Sequence, residues 1–131
     1  MLEQLNPDLA CRIVECVREF QAKEDVVLPD RPDNPSDDWA LQVLADHADD
    51  LTYSEAKCTI DDLERDQQAA LVALMWIGRG DFDATDWQGA YGEAVERWTK
   101  RTAEYVLATP LAPDYIDEAL AQMGYSCDEG Y

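Results

Sequence analysis

Apolar residues recur every three to four positions along most of this chain, and no stretch alternates at period two, so the pattern predicts helices and no sheet. Asn6-Pro7-Asp8 reads as a helix start, with Asn as N-cap, Pro in the first turn and Asp at the positive end of the helix dipole. Leu9, Ile13, Val17 and Phe20, with Cys16 beside them, then form an inward stripe to about Lys23. Residues 24–36 carry Pro29, Pro32 and Pro35 among acidic residues and read as an extended loop. Ser36 caps a second predicted helix, with Asp37 and Asp38 in its first turn and Trp39, Val43 and Leu44 inward. A third helix is expected from Ser54 to about Leu63, with Ala56 and Ile60 inward.

The Ala- and Leu-rich run Gln67 to Ile77 predicts a fourth helix, closed by Gly78-Arg79-Gly80. Asp83 or Thr85 caps a long fifth helix reaching about Ala108. Its expected inward stripe is Trp87, Tyr91, Val95, Trp98, Thr102 and Tyr105. Gly89 and Gly92 each weaken that helix by about 1 kcal/mol relative to Ala, which implies close helix packing there or a late start. Pro110 breaks it, and Pro113 opens a sixth helix through Met123, stopped by Gly124. The expectation is an all-α fold, a compact bundle of about five to six helices in a single domain over residues 1–131, without internal repeats.

Charge changes the picture from an ordinary bundle to an unusual surface. The chain carries a formal net charge of −19 over 131 residues, from 29 acids and 10 Lys or Arg. The excess is uneven: −1 over residues 1–23, −11 over 24–66 and −7 over 67–131. Such a surface repels nucleic-acid backbones and acidic membranes, and suits a basic protein partner, divalent cations or high salt. At 47% apolar residues with four Trp and six Tyr, the chain has the material for a packed core and is not a disordered acidic tail. The opening Met-Leu-Glu-Gln has neither a basic nor an apolar leader region, and no apolar run reaches the ~20 residues of a membrane span. Cys11, Cys16, Cys58 and Cys127 show no CxxC spacing, and Cys11 and Cys16 would point about 140° apart on one helix. These features predict a cytoplasmic protein with reduced thiols.

Several strings carry a family likeness: Arg18-Glu19-Phe20, Asn34-Pro35-Ser36-Asp37-Asp38 and Leu44-Ala45-Asp46-His47-Ala48-Asp49-Asp50. So do Leu71-Val72-Ala73-Leu74-Met75-Trp76-Ile77-Gly78-Arg79-Gly80-Asp81, Thr102-Ala103-Glu104-Tyr105-Val106-Leu107, Pro110-Leu111, Asp114-Tyr115 and Gly124-Tyr125-Ser126-Cys127. From about residue 18 to residue 127 the chain resembles the uncharacterised bacterial family called domain of unknown function three-seven-seven-five. The resemblance implies a small bacterial cytosolic protein and brings no activity, substrate or catalytic residue.

Chemistry-bearing groups are few. His47 is the one histidine, and with Asp46 and Asp50 it forms the candidate divalent-metal set, since Asp46 and Asp50 share a helical face. The competing reading makes these residues the solvated end of the second helix. Asp81-Phe82-Asp83-Ala84-Thr85-Asp86 opens like a calcium loop, but Asp86 stands where glycine is required and Gly92 where the bidentate Glu belongs, so helix capping explains it better. Arg79-Gly80-Asp81 reads as a turn ordered by an arginine–aspartate pair. Trp76, Trp87 and Trp98 read as core, and any tryptophan left exposed would mark a homodimer face. One histidine and no nucleophile elbow leave no catalytic triad. The sequence therefore points away from enzymes and cofactors. It favours a non-enzymatic interaction module whose Asp30, Asp33, Asp37, Asp38 and Asp49 meet a basic protein partner, without direct nucleic-acid or membrane binding. A nucleic-acid mimic, or a metal-binding protein or enzyme using His47, are the alternatives.

Overall fold

Ten consecutive residues, Gln68 to Ile77, are buried on the helix Arg65–Arg79, so this helix has no face for water and its neighbours must close around it. The computed structural model describes residues 4–22 and 51–127. In chain order the helices are α1 (Pro7–Gln21), α2 (Leu51–Asp61), α3 (Arg65–Arg79), α4 (Trp87–Glu96), α5 (Thr102–Ala108) and α6 (Ala112–Gln122). A single 3₁₀ turn, Ala84–Asp86, precedes α4, and no strand occurs among the described residues. The fold is all-α. The second predicted helix, from Ser36, and the proline loop lie outside the described residues.

Local sequence chemistry sets most of the helix ends. The Asn6 side chain accepts the Asp8 N–H at 2.8 Å and Pro7 stands in the first turn, so α1 starts where its cap dictates. The Glu64 N–H donates to the Gln67 side chain at 2.7 Å at the head of α3. Gly80, at φ 98°, closes α3 in the left-handed conformation, its N–H returning to Trp76 and Ile77 carbonyls. Gly124, at φ 93°, turns the chain back after α6.

Helix α3 packs against α4 on one side and α6 on another; α1 lies across α6 and α2, and α2 reaches α5. Ala10, Cys11, Ile13, Val14, Val17 and Phe20 form the buried face of α1. Phe20 meets Tyr53 of α2 with ring centroids 5.5 Å apart. Fully burying side chains such as Ile13 and Phe20 contributes roughly 1.5–3 kcal/mol each, which outweighs the propensity differences within the helix.

The predicted long fifth helix is instead two helices. Beyond α4 the ladder tightens at Trp98, whose N–H reaches Val95, and the Thr99 hydroxyl accepts the Arg101 N–H at 3.1 Å. A threonine hydroxyl that binds nearby backbone competes with the helical ladder. The break releases Trp98 to donate to buried Gln68 at 2.7 Å. It also rotates the stripe: Trp87, Ala90 and Ala94 are buried on α4, whereas Val95, expected inward, is 37% exposed. Thr102 and Tyr105 are buried as expected.

The cysteine expectation is also corrected. Cys11 and Cys127 form a disulfide with Cα atoms 5.4 Å apart, while Cys16 and Cys58 are free. A separation of 116 residues gives no sequence signal, and the pairing exists because α6 runs antiparallel to α1 and Gly124 turns the chain back.

The close helix packing expected at Gly89 or Gly92 occurs at Gly78. A Cβ on Gly78 would fall inside the Tyr115 carbonyl of α6, whereas one on Gly92 meets nothing within 4 Å and one on Gly89 first meets the Asp86 side-chain carboxylate rather than backbone. Gly78→Ala is expected to lower the unfolding free energy by about 3 kcal/mol, and Gly92→Ala to raise it by about 0.5–1 kcal/mol. Urea denaturation checks the pair, and equal effects would contradict the packing.

Candidate functional site

His47, Asp46 and Asp50, the candidate metal set, lie outside the described residues, as do Asp30, Asp33, Asp37, Asp38 and Asp49 of the expected anionic face and Trp39. Among the described residues no group of His, Cys, Asp and Glu is arranged to hold a metal ion.

The described anionic feature is a cleft beside α6. Ile116, Ala119 and Leu120 bury one face of this helix, which directs Asp114, Asp117 and Glu118 to the other. After Gly124 reverses the chain, the Tyr125 N–H returns to the Leu120 carbonyl at 2.8 Å, and Tyr125 and Ser126 become the opposite wall. The resulting cleft has a volume of about 330 Å³ and is lined by Asp114, Asp117, Glu118, Ala121, Tyr125 and Ser126.

Among the described residues, Arg18 is the cation paired with this group. Arg18 of α1 donates to Asp114 at 2.9 Å and lies 3.9 Å from Asp117. All three side chains are well exposed, so the pairing is worth about 1 kcal/mol or less. Carboxylates three and four apart on one helix repel one another. The cleft therefore keeps a net negative field that a basic ligand would relieve. Sequence reasoning placed the anionic face earlier in the chain and missed Tyr125 and Ser126, whose one signal was the stop at Gly124.

A second cleft, of about 290 Å³, lies between Trp76, Arg79, Asp81, Phe82, Glu93 and Arg97. Its charges are already matched. The Arg79 side chain, 6% exposed, pairs with Asp81 through Nε at 2.8 Å, as the turn at Arg79-Gly80-Asp81 predicted, and Arg97 pairs with Glu93. Arg79 is thus buried in a turn and Asp81 is occupied, which disposes of a calcium-loop role for Asp81. Asp83 holds the N-cap position of the 3₁₀ turn, its carbonyl accepting from Asp86 N–H at 2.9 Å.

Beneath this cleft the Tyr105 hydroxyl accepts from Trp76 Nε1 at 2.8 Å. Burial pushes the Tyr105 hydroxyl above its ordinary range, while the Trp76 hydrogen bond and the Arg79 charge act the other way. Tyr53 and Tyr91 are raised as well, chiefly by burial. This is a structural network with no reacting group at its centre. Trp76 and Trp87 are core as expected, and half-buried Trp98 lies under the Arg65 guanidinium, 4.4 Å from its ring centroid. No described tryptophan is left as an exposed dimer face.

Fold and surface together define a small, acidic, all-helical protein with a dense core and a cleft walled by carboxylates. The chain belongs to the family described as Protein of unknown function (DUF3775), which it matches over residues 53–125. That span runs from α2 through the Tyr125 wall of the cleft. No curated protein and no solved structure matches the chain. No helix of the described residues is long and apolar enough to cross a membrane.

Tyrosines held neutral by the fold make stability fall as pH rises. Unfolded tyrosine loses its proton near pH ~10, the folded groups keep theirs to higher pH, and the unfolded state is favoured in between. Urea midpoints are expected to decline above about pH 10. Tyr105→Phe is expected to soften that decline and to cost about 1–3 kcal/mol at neutral pH, because Trp76 Nε1 loses its acceptor. An unchanged alkaline limb would contradict the assignment.

Proposed function

We propose that this protein is a non-enzymatic interaction module of the cytoplasm that docks a basic protein partner on its anionic surface. The observation that carries the reading is the cleft beside α6, where among the described residues Asp114, Asp117 and Glu118 meet the exposed Arg18, on a chain of net charge −19. Uncompensated carboxylates on a rigid wall steer a cationic partner by long-range attraction, while Tyr125 offers it an apolar surface. Asp30, Asp33, Asp37, Asp38 and Asp49 extend the same field in this reading. The scaffold supports the role, since a core closed around α3 holds α6 in place.

Affinity capture of the tagged full chain from nuclease-treated lysate, at low and moderate salt, tests the proposal. A stoichiometric basic partner that is lost with salt is expected. Replacing Asp114 and Asp117 by Asn and Glu118 by Gln together should slow its association by about tenfold at low salt. A partner insensitive to salt and to these substitutions would overturn the reading. Displacement by excess duplex DNA would narrow it to a nucleic-acid mimic.

A further inference from the structure

The Cys11–Cys127 disulfide holds the chain directly after the acidic cleft's last lining residue, without lining the cleft itself. Cys127 is the residue after Ser126 and two after Tyr125, and those two form the wall opposite Asp114, Asp117 and Glu118. Cys11 is 4% exposed in the buried face of α1, whereas Cys127 is half-buried. Helix α1 is therefore tied to α6 at both ends: Arg18 bridges to Asp114 at the start of α6, and the disulfide holds the turned-back segment past its end.

The two holds differ in kind. The first is an exposed ion pair. The second is covalent, and it fixes a segment that lies outside every helix, beyond the left-handed Gly124. Breaking it removes no buried helix from the core. It removes the covalent hold on the segment past Tyr125, while the Tyr125 N–H stays bonded to the Leu120 carbonyl.

We infer that Cys11 and Cys127 form a thiol-responsive clasp, and that reduction by a monothiol of the glutathione class releases residues 126–127 and opens the cleft. The less buried sulfur, on Cys127, is the one an incoming thiolate reaches. Attack there breaks the Cys11–Cys127 bond, forms a mixed disulfide on Cys127 and expels the Cys11 sulfur as a thiolate, which takes up a proton. A second monothiol then attacks the mixed disulfide and leaves Cys127 as a thiol. Two monothiols are oxidised to their disulfide, and the protein gains two electrons and two protons. The free Cys16 does not short-circuit this exchange: it sits about 140° round α1 from Cys11, and burial raises its pKa, which keeps it a thiol. The bearing on partner binding rests on the function proposed above; the clasp itself does not.

The test equilibrates the full chain in glutathione buffers from oxidising to reducing. The state of each cysteine is trapped by alkylation and read by mass spectrometry, and hydrogen exchange is followed in parallel. Conversion of Cys11 and Cys127 within the glutathione range is expected, with exchange at residues 126–127 rising about tenfold or more while α3 stays protected. A Cys11→Ser/Cys127→Ser double variant should show the same exchange under oxidising conditions. A disulfide that resists glutathione, or a reduction that unprotects α3 as well, would make it a structural staple and overturn the clasp. A fluorescein-labelled oligolysine, titrated into both redox forms, separates the two claims. Affinity that differs several-fold between the forms supports the gating, and equal affinity overturns it. Absence of binding in both forms overturns the anionic docking site, with the exchange data still deciding the clasp.

Discussion

A helix buried on every face over ten residues cannot be left with a wet side there, and this requirement on α3 organises the molecule. From Gln68 to Ile77 every side chain is enclosed, so α4 and α6 must both approach closely. Gly78 is where the approach is tightest, because α6 brings the Tyr115 backbone into the space of its missing side chain. Two buried polar side chains of α3 are paired. Gln68 donates to the Ile60 carbonyl and accepts from Trp98, and the Trp76 indole donates to Tyr105. Buried groups satisfied in this way cost little, and they fix which rings face which helices.

Those pairings explain what the sequence did and did not disclose. Ends governed by local chemistry were legible: the Asn6–Pro7 start of α1, the Gly80 stop of α3 and the Gly124 stop after α6. The interior of α3 was legible because nine apolar residues in a row, Ala69 to Ile77, can only be core. The break between α4 and α5 was not, because Trp87, Tyr91, Val95, Trp98, Thr102 and Tyr105 fit one continuous stripe. What decides it is a tertiary bond from Trp98 to Gln68, thirty residues away. Gly78 was read as part of a helix terminus when its role is to admit a neighbouring helix. The union of Cys11 with Cys127 has no local signature at all.

Charge alone pointed to an anionic face among residues 24–66, most of which lie outside the described residues; α6 carries a separate group of carboxylates, and nothing in residues 112–127 announces that Tyr125 and Ser126 close it into a cleft. That geometry comes from a left-handed glycine and a disulfide, one local and one 116 residues distant. The scaffold and the surface thus have separate duties. The core around α3 holds α6 in position, and the outer face of α6 carries like charges whose exposed pairing with Arg18 adds about 1 kcal/mol or less to the fold.

The dependence of folding on salt measures this separation of core and charged surface. If the acidic groups are clustered and mostly unpaired, they oppose the compact state, and added sodium chloride screens the repulsion. The thermal midpoint of the full chain should then rise between low and moderate salt. A midpoint that falls would mean the carboxylates are already engaged in stabilising pairs, and an anionic surface held in reserve for a partner would be contradicted.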